Sequence, residues 1–164
     1  TNFSGSIDCQ NLGISDLTGI EAFVSLVALN CDDNQLTSLD LTYNTYLQGN
    51  LRFKSNNITT ITLPPTSSIV QLWASFNPLT QIDVSGHTSL EMIRLIGCTA
   101  LTSLDVSMLF NLWFLDCGAN QISSLDLSNN NLLAQLFCRN SILTDLNIKN
   151  GNNIALDSLF ITNN

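Results

Sequence analysis

Two stretches of the chain can be laid on one another without a gap. From Leu26 the residues read LVALNCDDNQLTSLDLTYNTY and from Leu112 they read LWFLDCGANQISSLDLSNNNL, 21 residues each, with apolar side chains at matching positions. Looser copies begin near Ser4, Gln48, Ile69, Leu90 and Leu133, and a last partial copy begins at Leu156. The first half of each copy alternates apolar and polar residues, as a strand with one buried face does. The second half alternates too, in Leu39-Asp40-Leu41, Ile82-Asp83-Val84, Leu104-Asp105-Val106 and Leu125-Asp126-Leu127. Both halves therefore predict extended chain. Residues 18–24 are the exception and predict a short helix, while Pro64-Pro65 stiffens one turn by fixing its backbone dihedrals. An inward column runs Cys9, Cys31, Phe53, Ala74, Leu95, Cys117, Cys138, Ile161, with a spacing of 21 to 23 residues. That period predicts a solenoid with eight parallel strands on one face and little helix.

A polar column follows each strand: Leu12, Asn34, Asn56, Asn77, Cys98, Asn120, Ser141, Asn164. The unit LxxLxCxxNxLTSLDLSxNxx resembles the leucine-rich repeat, whose signature is L-x-x-L-x-L-x-x-N/C-x-L. In that fold the Asn turns inward and bonds the backbone of the tight bend after the strand. Cys98 fits the cysteine variant, whereas Leu12 and Ser141 depart from the pattern and are expected to weaken the ladder near the ends. The short repeats and the closing block Asn147-Ile148-Lys149-Asn150-Gly151-Asn152-Asn153 resemble secreted Bacteroidetes-type leucine-rich repeat proteins, and Leu17-Thr18-Gly19-Ile20 in the first copy is internalin-like. The resemblance implies a right-handed leucine-rich repeat solenoid with a parallel concave β-sheet and short extended convex segments. It also implies an exported bacterial protein with a binding role. Residues 1–164 then form a single leucine-rich repeat domain of about eight repeats, the first and last atypical. The opening Thr1-Asn2-Phe3, with neither Met nor an apolar signal stretch, fits a piece excised from a larger secreted or cell-surface protein.

Composition narrows the partners. Thirteen acidic residues against five basic ones give a formal net charge of −8, which repels phosphate backbones and anionic lipid surfaces. No apolar run approaches the roughly 18 residues a membrane-spanning helix needs. Nucleic acid and membrane insertion are thus excluded as expected partners. Five cysteines cannot complete a disulfide framework. Cys9, Cys31, Cys117 and Cys138 share the inward column, where Cys serves as a small hydrophobe. His87 lies in a convex turn away from them, so no metal site and no cofactor is expected. No catalytic motif appears and the chain is read as non-enzymatic. The one suggestive acid pair, Glu91 and Asp116 beside Arg94, has a glycosidase-like reading. Its simpler readings are ion pairing to Arg94 or ligand contact by all three.

The informative positions face outward from the strands. The middle one of each strand reads Asp8, Asn30, Arg52, Trp73, Arg94, Asp116, Phe137, Phe160. The one two residues earlier reads Ser6, Ala28, Asn50, Gln71, Met92, Phe114, Gln135, Ser158, and Trp113 precedes Phe114. Both tryptophans and four of the five basic residues thus fall on the concave face. A simple alternative is cross-strand packing of each ring on its neighbour. Aromatic faces among planar polar groups suit a polysaccharide or oligosaccharide ligand. Trp73, Trp113 and Phe114 would stack on sugar, while Arg52, Gln71, Glu91, Arg94 and Asp116 would orient it and Phe137 would extend the face. The rival reading is a protein ligand held by an adhesion module, since Trp, Phe, Met and Arg are also enriched at protein interfaces. Exposed stacking rings contribute little to folding, so Trp73→Ala and Trp113→Ala are predicted to leave the melting temperature nearly unchanged.

Overall fold

The computed structural model describes residues 3–164; Thr1 and Asn2 lie outside the described residues. One parallel sheet takes a strand from each coil, in chain order Ser4–Asp8, Ser25–Asn30, Gln48–Arg52, Ser68–Trp73, Met92–Arg94, Phe114–Asp116, Gln135–Phe137 and Ser158–Phe160. The opposite side is extended where it is regular. Ser38–Asp40 pairs with Thr60–Thr62, and Ser124–Asp126 with Asp145–Asn147. Among the described residues helix is confined to two single 3-10 turns, Ile20–Ala22 and Asn153–Ala155, the first inside the predicted helical segment.

The core lies between these two walls. In the second coil Leu26, Leu29, Cys31, Leu36, Leu39 and Leu41 are all buried, and the same columns recur down the array. Each buried Leu contributes about 1.5–3 kcal/mol, yet a lone coil has nothing to bury it against. Stability therefore belongs to pairs of neighbouring coils rather than to single ones.

Every coil turns out of its strand through a left-handed residue: Asn11, Asp33, Ser55, Phe76, Gly97, Ala119, Asn140 and Asn163, with φ between 54° and 74°. For side chains other than glycine this conformation costs roughly 1–2 kcal/mol. The next residue holds the bend. Asn77 donates from Nδ2 to the Ala74 carbonyl of its own coil at 3.0 Å and to the Phe53 carbonyl of the coil before at 2.9 Å, while Oδ1 accepts Ile58 N–H at 3.0 Å. Asn34 and Asn56 repeat the pattern. Ser141 keeps the ladder but weakens it, as expected. Its hydroxyl donates to the Cys117 carbonyl at 3.4 Å and accepts Asn120 N–H at 3.5 Å, a longer version of the same links. The Leu12 side chain is exposed and takes no part, although its N–H donates to Asn34 Oδ1 at 3.1 Å.

A second buried ladder runs under the convex side. Asn44 donates to the carbonyls of Ile20 and Phe23, Asn130 to those of Val106 and Leu109, and Asn150 to that of Asn130. His87 occupies the equivalent place, buried, with Nδ1 2.9 Å from Ser67 Oγ. The neighbouring Asp column is turn chemistry. Asp40, Asp83, Asp105 and Asp126 each accept the N–H two residues on, at 2.9–3.0 Å. The Thr42 hydroxyl, then its N–H, holds the Asp40 carboxyl below its ordinary value, and the N–H followed by the hydroxyl of Ser85, Ser107 and Ser128 does so for the other three.

Candidate binding face

Strand register decides which outward side chains meet. Arg52, Trp73, Arg94, Asp116, Phe137 and Phe160 are successive partners across the sheet, and Gln71, Met92, Phe114, Gln135 and Ser158 form the row beside them. Parallel strands lie about 4.8 Å apart, so side chains of one row are close enough to stack.

They stack as a continuous series of cations and rings. The Arg52 guanidinium carbon lies 4.6 Å from the centre of the Trp73 ring, and that of Arg94 lies 4.4 Å from the same ring. Arg94 also lies 4.9 Å from the Phe114 ring. Phe114 continues to Phe137 at 5.5 Å, and Phe137 stacks on Phe160 at 4.9 Å with the planes 9° apart. Arg139 closes the series over Phe160 at 4.9 Å. Each cation–ring contact at a partly exposed site contributes roughly 0.5–1 kcal/mol, because the ring face carries negative charge density. Gln71 steadies Trp73 by accepting the indole Nε1–H at 3.3 Å.

Three expectations need correction. Trp73 does not present a free face, since a guanidinium covers it on either side; it therefore shares in folding energy. Phe114 is only 6% exposed, pinned by Arg94, Phe137 and an edge-on Trp113 at 5.7 Å. Phe114 thus follows the cross-strand packing reading, and Trp113 and Phe137 are the half-exposed rings beside it. Glu91 is exposed, just before the Met92–Arg94 strand, and among the described residues no carboxylate comes within 4.0 Å of Arg94. Asp116 is the in-register partner of Arg94, yet its Oδ1 accepts Gly118 N–H at 3.3 Å. Burial pushes the Asp116 carboxyl up, against the lowering by that N–H, Arg94 and Arg139.

Sequence reading missed Asp32. It is 1% exposed, takes Arg52 at 3.0 Å from Nε and 2.6 Å from Nη2, and accepts Lys54 N–H at 2.7 Å. The available signal was an Asp directly after the inward Cys31, one coil before an outward Arg.

No protein-family model matches the chain. Over 40 residues, 24% of the chain, it is 50% identical to Internalin J of Listeria monocytogenes serotype 4b (strain F2365), of which that stretch is 4%. The solved functional domain of InlJ from Listeria monocytogenes, which includes a cysteine ladder, matches 94% of this chain at 27% identity with a TM-score of 0.51. The fold is a leucine-rich repeat solenoid. An internalin (inlF) from Listeria monocytogenes str. 4b F2365 supports the same fold, with a TM-score of 0.60 and 23% identity over 82% of the chain. This leucine-rich repeat chain spans 43% and 44% of those two structures. The internalin part of the expected resemblance is the part these likenesses carry. No helix among the described residues is long and apolar enough to cross a membrane.

Proposed function

We propose that the chain is a non-catalytic protein-recognition module of a secreted or surface-attached bacterial protein, and that its concave face reads the partner. The observation behind this is the cation–ring series. Arginine and aromatic residues held rigid by their neighbours are the side chains that dominate protein interfaces, because little further entropy is lost on binding. A pyranose would need an open ring face, and Trp73 offers one only if an arginine leaves. The likeness to internalins also supports the protein reading over the polysaccharide reading. Within this reading Arg52, Gln71, Trp73, Phe114 and Asp116 form the fixed bed. Arg94, Trp113 and Phe137 meet the partner, and Glu91 borders them. Residues 1–164 act as one domain of a longer polypeptide.

The test is a binding panel on the immobilised chain, with extracellular proteins in one arm and soluble polysaccharides in the other. Protein binding should fall tenfold or more in a Trp113→Ser, Phe137→Ser variant, a loss worth about 1.4 kcal/mol. It should persist in Tyr43→Ser, Tyr46→Ser, which alters two exposed convex residues. Retention of one polysaccharide, lost in the Trp113 and Phe137 variant, would return the carbohydrate reading to first place.

A further inference from the structure

Trp73 is held between two guanidinium groups that differ in one respect. Arg52 has its in-plane donors occupied: Asp32 Oδ2 takes both Nε and Nη2, and the carboxylate is buried beneath. Arg94 comes from the strand on the other side of Trp73, its guanidinium carbon 4.4 Å from the Trp73 ring centre and 4.9 Å from that of Phe114. Its Nε is buried and has no hydrogen-bond partner among the described residues. A guanidinium flanked by rings can be approached only in its plane, where its fork of donors matches a carboxylate. Asp116, its partner in register, turns Oδ1 to Gly118 N–H, and among the described residues no carboxylate lies within 4.0 Å of Arg94.

Nε itself is too buried for an outside group to reach; the Nη1 and Nη2 edge is neither buried nor hydrogen-bonded among the described residues, and it is the edge an incoming acceptor meets. The setting selects the sign of that acceptor. Four of the five basic residues of this acidic chain fall on the concave face, and among the described residues only Arg52 is paired. Phe114 against Arg94, with Phe137 packed on Phe114, supplies an apolar border on that side of the guanidinium.

We propose that Arg94 is a carboxylate-docking site, which takes an Asp or Glu side chain of an acidic segment of the partner end-on, through Nη1 and Nη2. This deepens the protein-recognition reading and rests on it. The planar fork clamped by two rings fixes both the position and the orientation of the incoming carboxylate, so a Lys in its place keeps the charge but loses the pairing.

The test uses the whole chain, labelled with nitrogen-15, and two neutral-ended hexapeptides at matched ionic strength. One alternates Gly with Glu and the other alternates Gly with Gln. The Arg94 Nε–H resonance should shift saturably with the Glu peptide and stay in place with the Gln peptide. The Arg52 Nε–H resonance, already bound by Asp32, should stay in place with both. In Arg94→Lys, followed through the Trp73 indole N–H, affinity for the Glu peptide should fall at least tenfold. Equal shifts with the two peptides, or undiminished affinity in Arg94→Lys, would overturn the site. The comparison of the two peptides on the unaltered chain decides the matter even if that variant folds poorly. Neither arm requires the natural partner, so a negative result removes the carboxylate site and leaves the concave-face reading to its own panel.

Discussion

Asn77→Ala removes one buried amide from the middle of the array, and its consequences can be worked out bond by bond. Asn77 is 1% exposed and its Oδ1 is the acceptor for Ile58 N–H at 3.0 Å. Losing it leaves that N–H buried and unpaired, which costs roughly 1–3 kcal/mol. The Nδ2 bonds matter less, because their acceptors have other donors. The Phe53 carbonyl keeps Asn56 Nδ2 and the Ser75 carbonyl keeps Ser55 N–H. Allowing about another 1 kcal/mol for these, the expected loss is about 2–4 kcal/mol. Asn120→Ala is the internal control. Its Oδ1 already has no partner among the described residues, and its Nδ2 reaches the Cys117 carbonyl at 2.9 Å. No N–H is orphaned there, so the loss should be about 1–2 kcal/mol. Urea unfolding followed by circular dichroism measures both, with slopes compared to detect broken cooperativity between repeats. Equal losses in the two variants, or a larger one in Asn120→Ala, would refute the account of the ladder.

Other consequences are as direct. Trp73→Ala should lower stability by about 1–2 kcal/mol, since two cation–ring contacts go with the ring; an unchanged melting temperature would mean the arginines do not stack in solution. Cys31, Cys98, Cys117 and Cys138 are buried and free, with burial pushing the Cys98 thiol up to about 11. These four should resist a thiol reagent until denaturant is added, while half-buried Cys9 in the first strand should label first; rapid labelling of several thiols in native buffer would place the column outside. Burial lowers the His87 pKa below its ordinary value, with Asp83 opposing weakly. The unfolded chain then binds the proton more readily, so the stability His87 provides is present above about pH 6.5 and declines as pH falls below it. His87→Asn, which installs the residue that Asn44 and Asn130 already use, should flatten the melting temperature between pH 7.5 and 5.5; an undiminished slope would assign the dependence to other groups.

How far the sequence could be read follows from what each signal encodes. Alternation and a constant period encode which side of a strand faces the core, and on those the eight strands, the core columns and the first Asn ladder could be placed. The left-handed bends are not encoded at each site. Ser55, Phe76 and Ala119 hold φ near 55° although nothing in those residue types favours it. The cause lies one residue further on, in buried amides that hold the bend: Asn56 and Asn77 tie it to the coil before and Asn120 ties it to its own strand, so the conformation belongs to the array and not to the residue. Gly97 shows the same dependence in reverse, because an added Cβ there would sit 2.7 Å from the Phe76 ring of the preceding coil. The outward face repeats the lesson. Composition revealed that arginines and rings gather there, but not that they are consumed by one another. Whether Trp73 is a platform or a filling depends on residues 21 positions away on either side, Arg52 and Arg94, and register supplies that fact. A solenoid makes such coupling general. Residues one period apart are spatial neighbours, so the unit of meaning on this surface is a row across the strands, and a substitution acts on the partners it leaves in the adjoining coils.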